Sequence, residues 1–300
     1  MRGIFWANRE KCFVQNQGQR THYLDVDRDG PSAYGGDGKQ LARGGLFTSP
    51  GHLFFPAAAS LPVFRGALEG LRRIATYHID PSSLRPSQPK RPYGPLARNG
   101  SNVASVLQRL EEHSFWRQRV QASLAVIDPS LQGIAVHDLA ERLGIEFQQS
   151  GLMDAPVRFW AENMSDGTLH ALGVLVALYQ YVLGTVSLVG LEEPETALHP
   201  GASAALRDAI EEASFGVQVI VTSHSADLLD DKHVRPDSIL AVCADPAGTR
   251  IGLLGEVERS VLRDKLFTVG ELLRMEQLRP GVDASSLREA DLFAPMADSV

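Results

Sequence analysis

The feature that most limits how this chain folds is the run Ala171 to Leu191, which carries no charge over 21 residues and then meets Glu192 and Glu193. Such a run is long enough to cross a bilayer, or it is one helix and one strand at the centre of a protein core. Gly184, Thr185 and Ser187 divide it into a helix-like first half and a β-branched second half, and no basic flank follows. The division predicts a buried helix over about Thr168 to Leu183, then a buried parallel strand over Val186 to Leu191. No membrane is expected.

The pattern continues with a helix over about Gly201 to Ala213 and a strand over Val217 to Thr222. Alternation of this kind predicts an α/β fold, a mostly parallel sheet flanked by crossover helices. With 44% hydrophobic and 22% charged residues, the chain is neither disordered nor collagen-like, and 300 residues fit one large or two modest domains. Cys12 and Cys243 are too few for a disulfide framework or a four-thiolate zinc site, which points to a reduced, cytoplasmic setting. The formal net charge of −7 announces no bulk basic nucleic-acid binder, although a local basic strip remains open. The stretch Met1 to Cys12 lacks the apolar core of a secretory signal.

Three stretches follow from composition. Residues 1–62 read as a strand-rich lobe, in which Cys12 to Val14 and Thr21 to Val26 flank the turn Asn16-Gln17-Gly18 as a hairpin. The glycine-rich segment Gly30 to Gly51 reads as a loop or mobile insertion. Residues 63–150 read as an inserted helical or irregular lobe, with helical periodicity over Val63 to Ile74 and over Ser101 to Glu112. Between them Pro81, Pro86, Pro89, Pro92 and Pro95 exclude regular helix and central strand. Val136 to Leu143 is expected as a short helix and Glu146 to Gln149 as a strand. Residues 151–300 carry the helix–strand alternation.

The densest chemistry is Leu188 to Glu195, an apolar strand that delivers Glu192 and Glu193 at its C-terminal end, where open α/β sheets hold their ligands. In P-loop NTPases a carboxylate at that place holds Mg²⁺, commonly through water, and a neighbour orients or deprotonates the attacking water. A strand ending in solvated acids is the plainer alternative. A second apolar strand, Val219 to Val221, ends in Thr222-Ser223-His224-Ser225, and a histidine at the same edge suits a hydrogen bond to a terminal phosphate. Upstream, Ser165-Asp166-Gly167-Thr168 opens the long helix, and a helix N-terminus favours an anion. His224 could equally pack or cap, and Ser165-Asp166 is a good N-cap pair for any helix.

Together with Ala197-Leu198-His199-Pro200, these three strings resemble the C-terminal half of an ABC-type ATPase, most of all the AAA_21 group related to RecF, RecN, SMC and OLD proteins. The resemblance implies ATP and Mg²⁺ as substrate and cofactor. It implies Glu192 on the metal side, Glu193 as general base and His224 as the switch histidine. It places Ser165, Asp166, Gly167 and Thr168 in a signature turn reaching the γ-phosphate bound by a second protomer, and His199 in the D-loop beside the nucleotide. A homodimer, or a complex with an ATPase partner, follows from that geometry. Tyr77 to Pro81, Gly100 to Val103 and Phe267 to Leu273 resemble further family segments, so that the likeness covers about Gly66 to Pro280.

The chain departs from the pattern twice. Glu192 stands where most ABC proteins carry Asp. No Gly-x-x-x-x-Gly-Lys-Ser/Thr string occurs; the nearest, Ala33 to Gln40, has Ala for the first Gly and Gln for the metal-binding hydroxyl. The chain thus reads as a family member without its N-terminal phosphate loop, and a non-catalytic or split ATPase-like interaction subunit is the rival expectation. Asp25-x-Asp27-x-Asp29-Gly30 starts like an EF-hand loop but has Gly36 at the twelfth position. Zinc spacing and a serine elbow are absent, and too few residues follow Gly248 for the acidic nuclease domain of OLD proteins. Arg72, Arg73, Arg85, Lys90, Arg91 and Arg98 form a basic strip, with Tyr77 and Tyr93 as stacking faces, that could meet DNA or simply be solvated.

Overall fold

The computed structural model describes residues 10–16, 19–27, 30–35, 39–43, 55–91, 93–151, 156–246 and 248–281. The described residues begin with an antiparallel meander of β1 (Glu10–Asn16), β2 (Gln19–Asp27), β3 (Gly30–Gly35) and β4 (Gln40–Arg43). The expected hairpin is the β1–β2 pair, with its tip residues Gln17 and Gly18 outside the described residues. The loop expected over Gly30 to Gly51 is corrected in its first half, because β3 pairs with both β2 and β4. Ladder bonds come from the main chain, so an antiparallel neighbour holds even a glycine-rich strand. Gly36 to Gly38 and Gly44 to Gly51 lie outside the described residues, as does Asp29.

Two helices follow, α1 (Phe55–Ala58) and α2 (Pro62–Arg72), the latter opening on a proline where a missing N–H costs no helical bond. The chain then enters β5 (Ile74–Tyr77). The proline-punctuated stretch yields only α3 (Pro81–Leu84) and the two-residue edge strand β6 (Gln88–Pro89). Next come α4 (Val103–Glu111), α5 (Ser114–Ile127), β7 (Leu131–Leu139), β8 (Arg142–Ser150) and β9 (Pro156–Trp160). The helix expected over Val136 to Leu143 is instead the tip of the β7–β8 hairpin, turned by Ala140 at φ 64°. Its apolar residues fit helical spacing, but pairing Ile134 with Phe147 and Val136 with Ile145 brings apolar side chains from both strands onto one face.

The C-terminal half runs α6 (Asp166–Tyr179), a 3₁₀ turn (Gln180–Leu183), β10 (Leu188–Glu192), α7 (Ser203–Ser214) and β11 (Gln218–Thr222). It closes with β12 (Leu240–Asp245), β13 (Gly248–Leu253), α8 (Glu256–Arg263) and α9 (Val269–Arg274). The uncharged run is therefore a core helix and a central strand. α6 is buried from Thr168 to Tyr179, packs against α3, α4, α5, α7 and β10, and gives way at Gly184, whose φ of 66° suits glycine. Among the described residues no helix is long and apolar enough to cross a membrane.

The fold is α/β, with parallel pairing confined, among the described residues, to the sheet β11–β10–β5. One face of that sheet carries Val189 and Leu191, both buried in a single apolar cluster that also takes residues from α3 to α7. On its other face Ile220 is 50% and Ile74 is 43% exposed. A smaller cluster of Ala241, Leu254, Leu262, Val269 and Leu272 sits beneath α8 and α9.

Candidate functional site

The parallel register aligns Glu192 with Thr222, so the ends of β10 and β11 open at one edge. Glu193 N donates to the Thr222 carbonyl at 2.9 Å, which carries the β10 chain one residue further along its neighbour. Glu193 then turns at φ 45°, a left-handed conformation unfavourable for a residue with a Cβ. Its carboxylate Oε1 lies 3.7 Å from His224 Nε2, with the side chains 45% and 92% exposed respectively. Glu192 points away from that pair and meets His78 Nδ1 at 3.6 Å and the guanidinium of Arg98 through Nη2 at 3.7 Å. Alternation along a strand gives the two neighbouring carboxylates these separate surroundings.

Behind the edge, Ser223 Oγ donates to Glu195 Oε1 at 2.6 Å and accepts from Ser225 N at 2.9 Å. Glu195 Oε2 is buried with no hydrogen-bond partner among the described residues. The chain continues through two linked turns, Thr196 N to Glu193 O and Leu198 N to Glu195 O, with Ala197 at φ 64°. His170 on α6 contacts the Pro194 carbonyl through Nε2 at 3.2 Å, and burial pushes its imidazole below the usual histidine range. That imidazole is thus held neutral against the turn.

The second group of residues lies at the start of α6. Ser165 is the N-cap, its Oγ accepting from Thr168 N at 3.1 Å. Gly167 lies so close to the following turn that a Cβ there would stand 2.6 Å from the Ala197 carbonyl oxygen. His199 Nδ1 accepts from Gly201 N at 3.1 Å and caps the 3₁₀ turn leading into α7. Ser165, Gly167, Thr168, Ala197 and His199 line one cleft of about 590 Å³ with Asp128 at the end of α5. Asp166 points elsewhere and is clamped by Arg85, whose guanidinium also donates to the Glu162 and Met164 carbonyls.

The sequence-predicted residues therefore fall into two sets, Glu192, Glu193 and His224 at the strand edge and Ser165, Gly167, Thr168 and His199 around the cleft. The segment Pro194 to Ala197 joins them through His170 and Gly167. Asp128 escaped the sequence reading because α5 has weak one-sided patterning, and His78 because nothing in the sequence brings it opposite Glu192. The basic strip is broken up by these contacts: Arg85 goes to Asp166, Arg98 to Glu192 and Lys90 to Asp138. Tyr77 offers no stacking face, since it is 2% exposed and its hydroxyl, pushed up to about 12 by burial, accepts from Gln180.

Past His224, the final helices are tied to the segment that follows β11. Thr268 caps α9 in a capping box and donates through Oγ1 to Asp230 Oδ1 at 2.7 Å, and Arg274 pairs with Asp227 and Asp230. Gly270 packs directly on the Ala226 carbonyl and the Asp230 backbone.

Comparison with known proteins sets these motifs in a family. Residues 65–231, more than half of the chain, match the model of AAA_21, described as "AAA domain, putative AbiEii toxin, Type IV TA system". The Old nuclease of Escherichia phage P2 is 39% identical over 107 residues, which cover 32% of this chain and 18% of that protein. The match thus spans less than a fifth of that relative's length. Among solved structures, an Smc head bound to the C-winged helix domain of ScpA is similar at TM-score 0.45 and 14% identity, covering 79% of this chain and 68% of that one. The Pyrococcus furiosus Smc head with an extended coiled coil is similar at 0.41 and 12%, covering 82% and 74%. Likenesses of that degree do not bear on chemistry. The family match, with the acidic strand edge and the turn before α6 inside its limits, shows that this chain belongs to the AAA_21 family of AAA domains.

Proposed function

We propose that the chain is an ATP-hydrolysing, nucleotide-gated dimer of the cytoplasm in which the strand edge of one protomer and the α6 turn of the other act on one triphosphate. The observation that supports this best is the pairing of Glu193 with His224 at the shared end of two parallel strands. Glu193, projecting from a left-handed backbone position, orients the attacking water and accepts its proton on the carboxylate. His224 Nε2, solvent-facing, donates a hydrogen bond to the terminal phosphate. Ser165 and Gly167, at the exposed start of α6, reach the phosphate held by the partner protomer.

Of the two carboxylates at the edge, one suffices for Mg²⁺, which takes one or two protein carboxylates and fills its shell with water and phosphate oxygens. Glu192 is the residue that would hold it, with His78 and Arg98 free to turn toward the phosphates when the carboxylate is engaged. The ion, when bound, neutralises charge on the phosphates. Glu193→Gln keeps the shape and removes the base, so ATP-dependent closure should persist while turnover falls by orders of magnitude. Hydrolysis at the parental rate would remove Glu193 from the role.

The exposed sheet face favours a second reading. Parallel sheets are covered on both faces, yet among the described residues Ile74 and Ile220 stand open, and the sequence holds no phosphate-loop string. A split or non-catalytic subunit would dock that face on an ATPase partner. Such a subunit would bind no MgATP alone and acquire binding only with the partner present. For DNA, Arg91 of that strip lines a cleft of about 450 Å³ together with Arg109 and the exposed Tyr93, and contact there would weaken steeply with salt.

A further inference from the structure

At the start of α6 the hydrogen-bond donors and acceptors can be counted proton by proton. Thr168 Oγ1 lies 2.8 Å from Asp128 Oδ2 and 2.8 Å from Ser165 Oγ. A carboxylate has no proton to give, so the one hydroxyl proton of Thr168 goes to Asp128. The contact between the two hydroxyls is then a hydrogen bond only if Ser165 donates to Thr168. Ser165 Oγ meanwhile accepts from Thr168 N at 3.1 Å. The serine proton is therefore committed inside the turn, and the oxygen faces the cleft with a lone pair, which repels an anion.

We infer that Asp128 is a positioning residue that sets the direction of this hydroxyl relay and holds the Ser165 proton away from the cleft. The inference rests on reading the turn as a phosphate contact. Asp128 is anchored at both oxygens, since Oδ2 accepts from Thr168 Oγ1 and Oδ1 accepts from Ser130 N at 3.2 Å and from Ser130 Oγ at 2.6 Å. It cannot swing aside without abandoning Ser130. Its place at the C-terminal cap of α5 is also unfavourable for a carboxylate, because the helix end is already partly negative, so local helix preference does not account for it. For Ser165 to donate to a phosphate oxygen it must first give up Thr168, and the turn thus has a closed and an open hydroxyl arrangement.

Two substitutions open it by different routes. In Asp128→Asn, the Ser130 N–H keeps the amide oxygen on its side, which turns the amide NH₂ toward Thr168. Thr168 then donates to Ser165, and the Ser165 proton is released to the cleft. In Thr168→Val the acceptor is removed, and Ser165 is released while the Asp128 charge stays.

The test uses the full chain and inorganic phosphate at pH 7, followed by the backbone amide resonances of Ser165 and Gly167. Asp128→Asn and Thr168→Val should each bind phosphate about tenfold more tightly than the parent. Ser165→Ala should abolish the gain in both backgrounds. A gain that survives Ser165→Ala, or one confined to Asp128→Asn, is a charge effect and overturns the relay. Hydroxyl direction is read independently by neutron crystallography of parent and Asp128→Asn. A serine deuterium pointing at Thr168 in the parent and away in the variant supports the relay even where phosphate affinity does not change, an outcome that would instead remove the phosphate role of the turn. An unchanged direction overturns the relay whatever phosphate does.

Discussion

Replacing Gly167 by alanine tests the contact that couples the α6 turn to the strand edge. The new Cβ would stand 2.6 Å from the Ala197 carbonyl oxygen, whereas ordinary contact begins at 3.4 Å, so one side must retreat by about 0.8 Å. Ala197 cannot give locally. It sits at φ 64° between two turn hydrogen bonds, and the segment is held again at Pro194 by His170. Forced overpacking of this kind costs about 1–3 kcal/mol, against a helix preference for alanine of at most about 1 kcal/mol. A net loss of about 0–2 kcal/mol is expected once the full alanine preference is subtracted. Gly66→Ala is the matched control, because no atom lies within 4 Å of its added Cβ in α2, and it should be neutral or stabilising by up to about 1 kcal/mol. Urea unfolding reads the difference as a lower midpoint for Gly167→Ala at unchanged slope. If Gly167→Ala were as stable as Gly66→Ala, the turn would not be packed on Ala197, and the proposed mechanical link between the two residue sets would be lost.

Two further outcomes concern the tail. Gly270→Ala drives a Cβ into the Ala226 and Asp230 backbone and should detach α9, seen as new protease cleavage near Thr268 with the core intact. The Asp230 carboxyl is held below its ordinary value of 3.8 first by the Thr268 hydroxyl and then by Arg274. A depressed carboxylate contributes stability that is present above the unfolded value and lost as pH falls through the folded one. The thermal midpoint should therefore drop on acidification below about pH 4 more steeply in the parent than in Asp230→Asn, and parallel curves would contradict the tie.

Some of this architecture was legible in the order of the residues and some was not. The uncharged run could be divided correctly because Gly184 and Ser187 mark a change from helix-forming to β-branched residues, a local property. The edge carrying Glu192 and Thr222 was legible because parallel strands of equal length, joined by a crossover helix, end together. The β7–β8 hairpin was missed because Ile134 and Val136 earn their positions from partners on another strand, which no window of sequence displays. Glycine-rich β3 was missed for a similar reason, its order coming from β2 and β4. Charge pairs were the least legible. Arg85 and Arg98 looked like part of one basic strip, and only the folded chain brings Asp166 and Glu192 to them.

The central claim, that Glu193 of one protomer and Ser165 of the other serve one triphosphate, is tested by mixing two inactive variants, Glu193→Gln and Ser165→Ala, and measuring MgATP hydrolysis. Half of the dimers in an equal mixture contain one of each, and in those one of the two sites has both groups intact. Hydrolysis at about a quarter of the parental rate is therefore expected from two proteins that are inactive apart. No recovery on mixing, with the parent active and the variants shown to exchange subunits, would contradict the shared site.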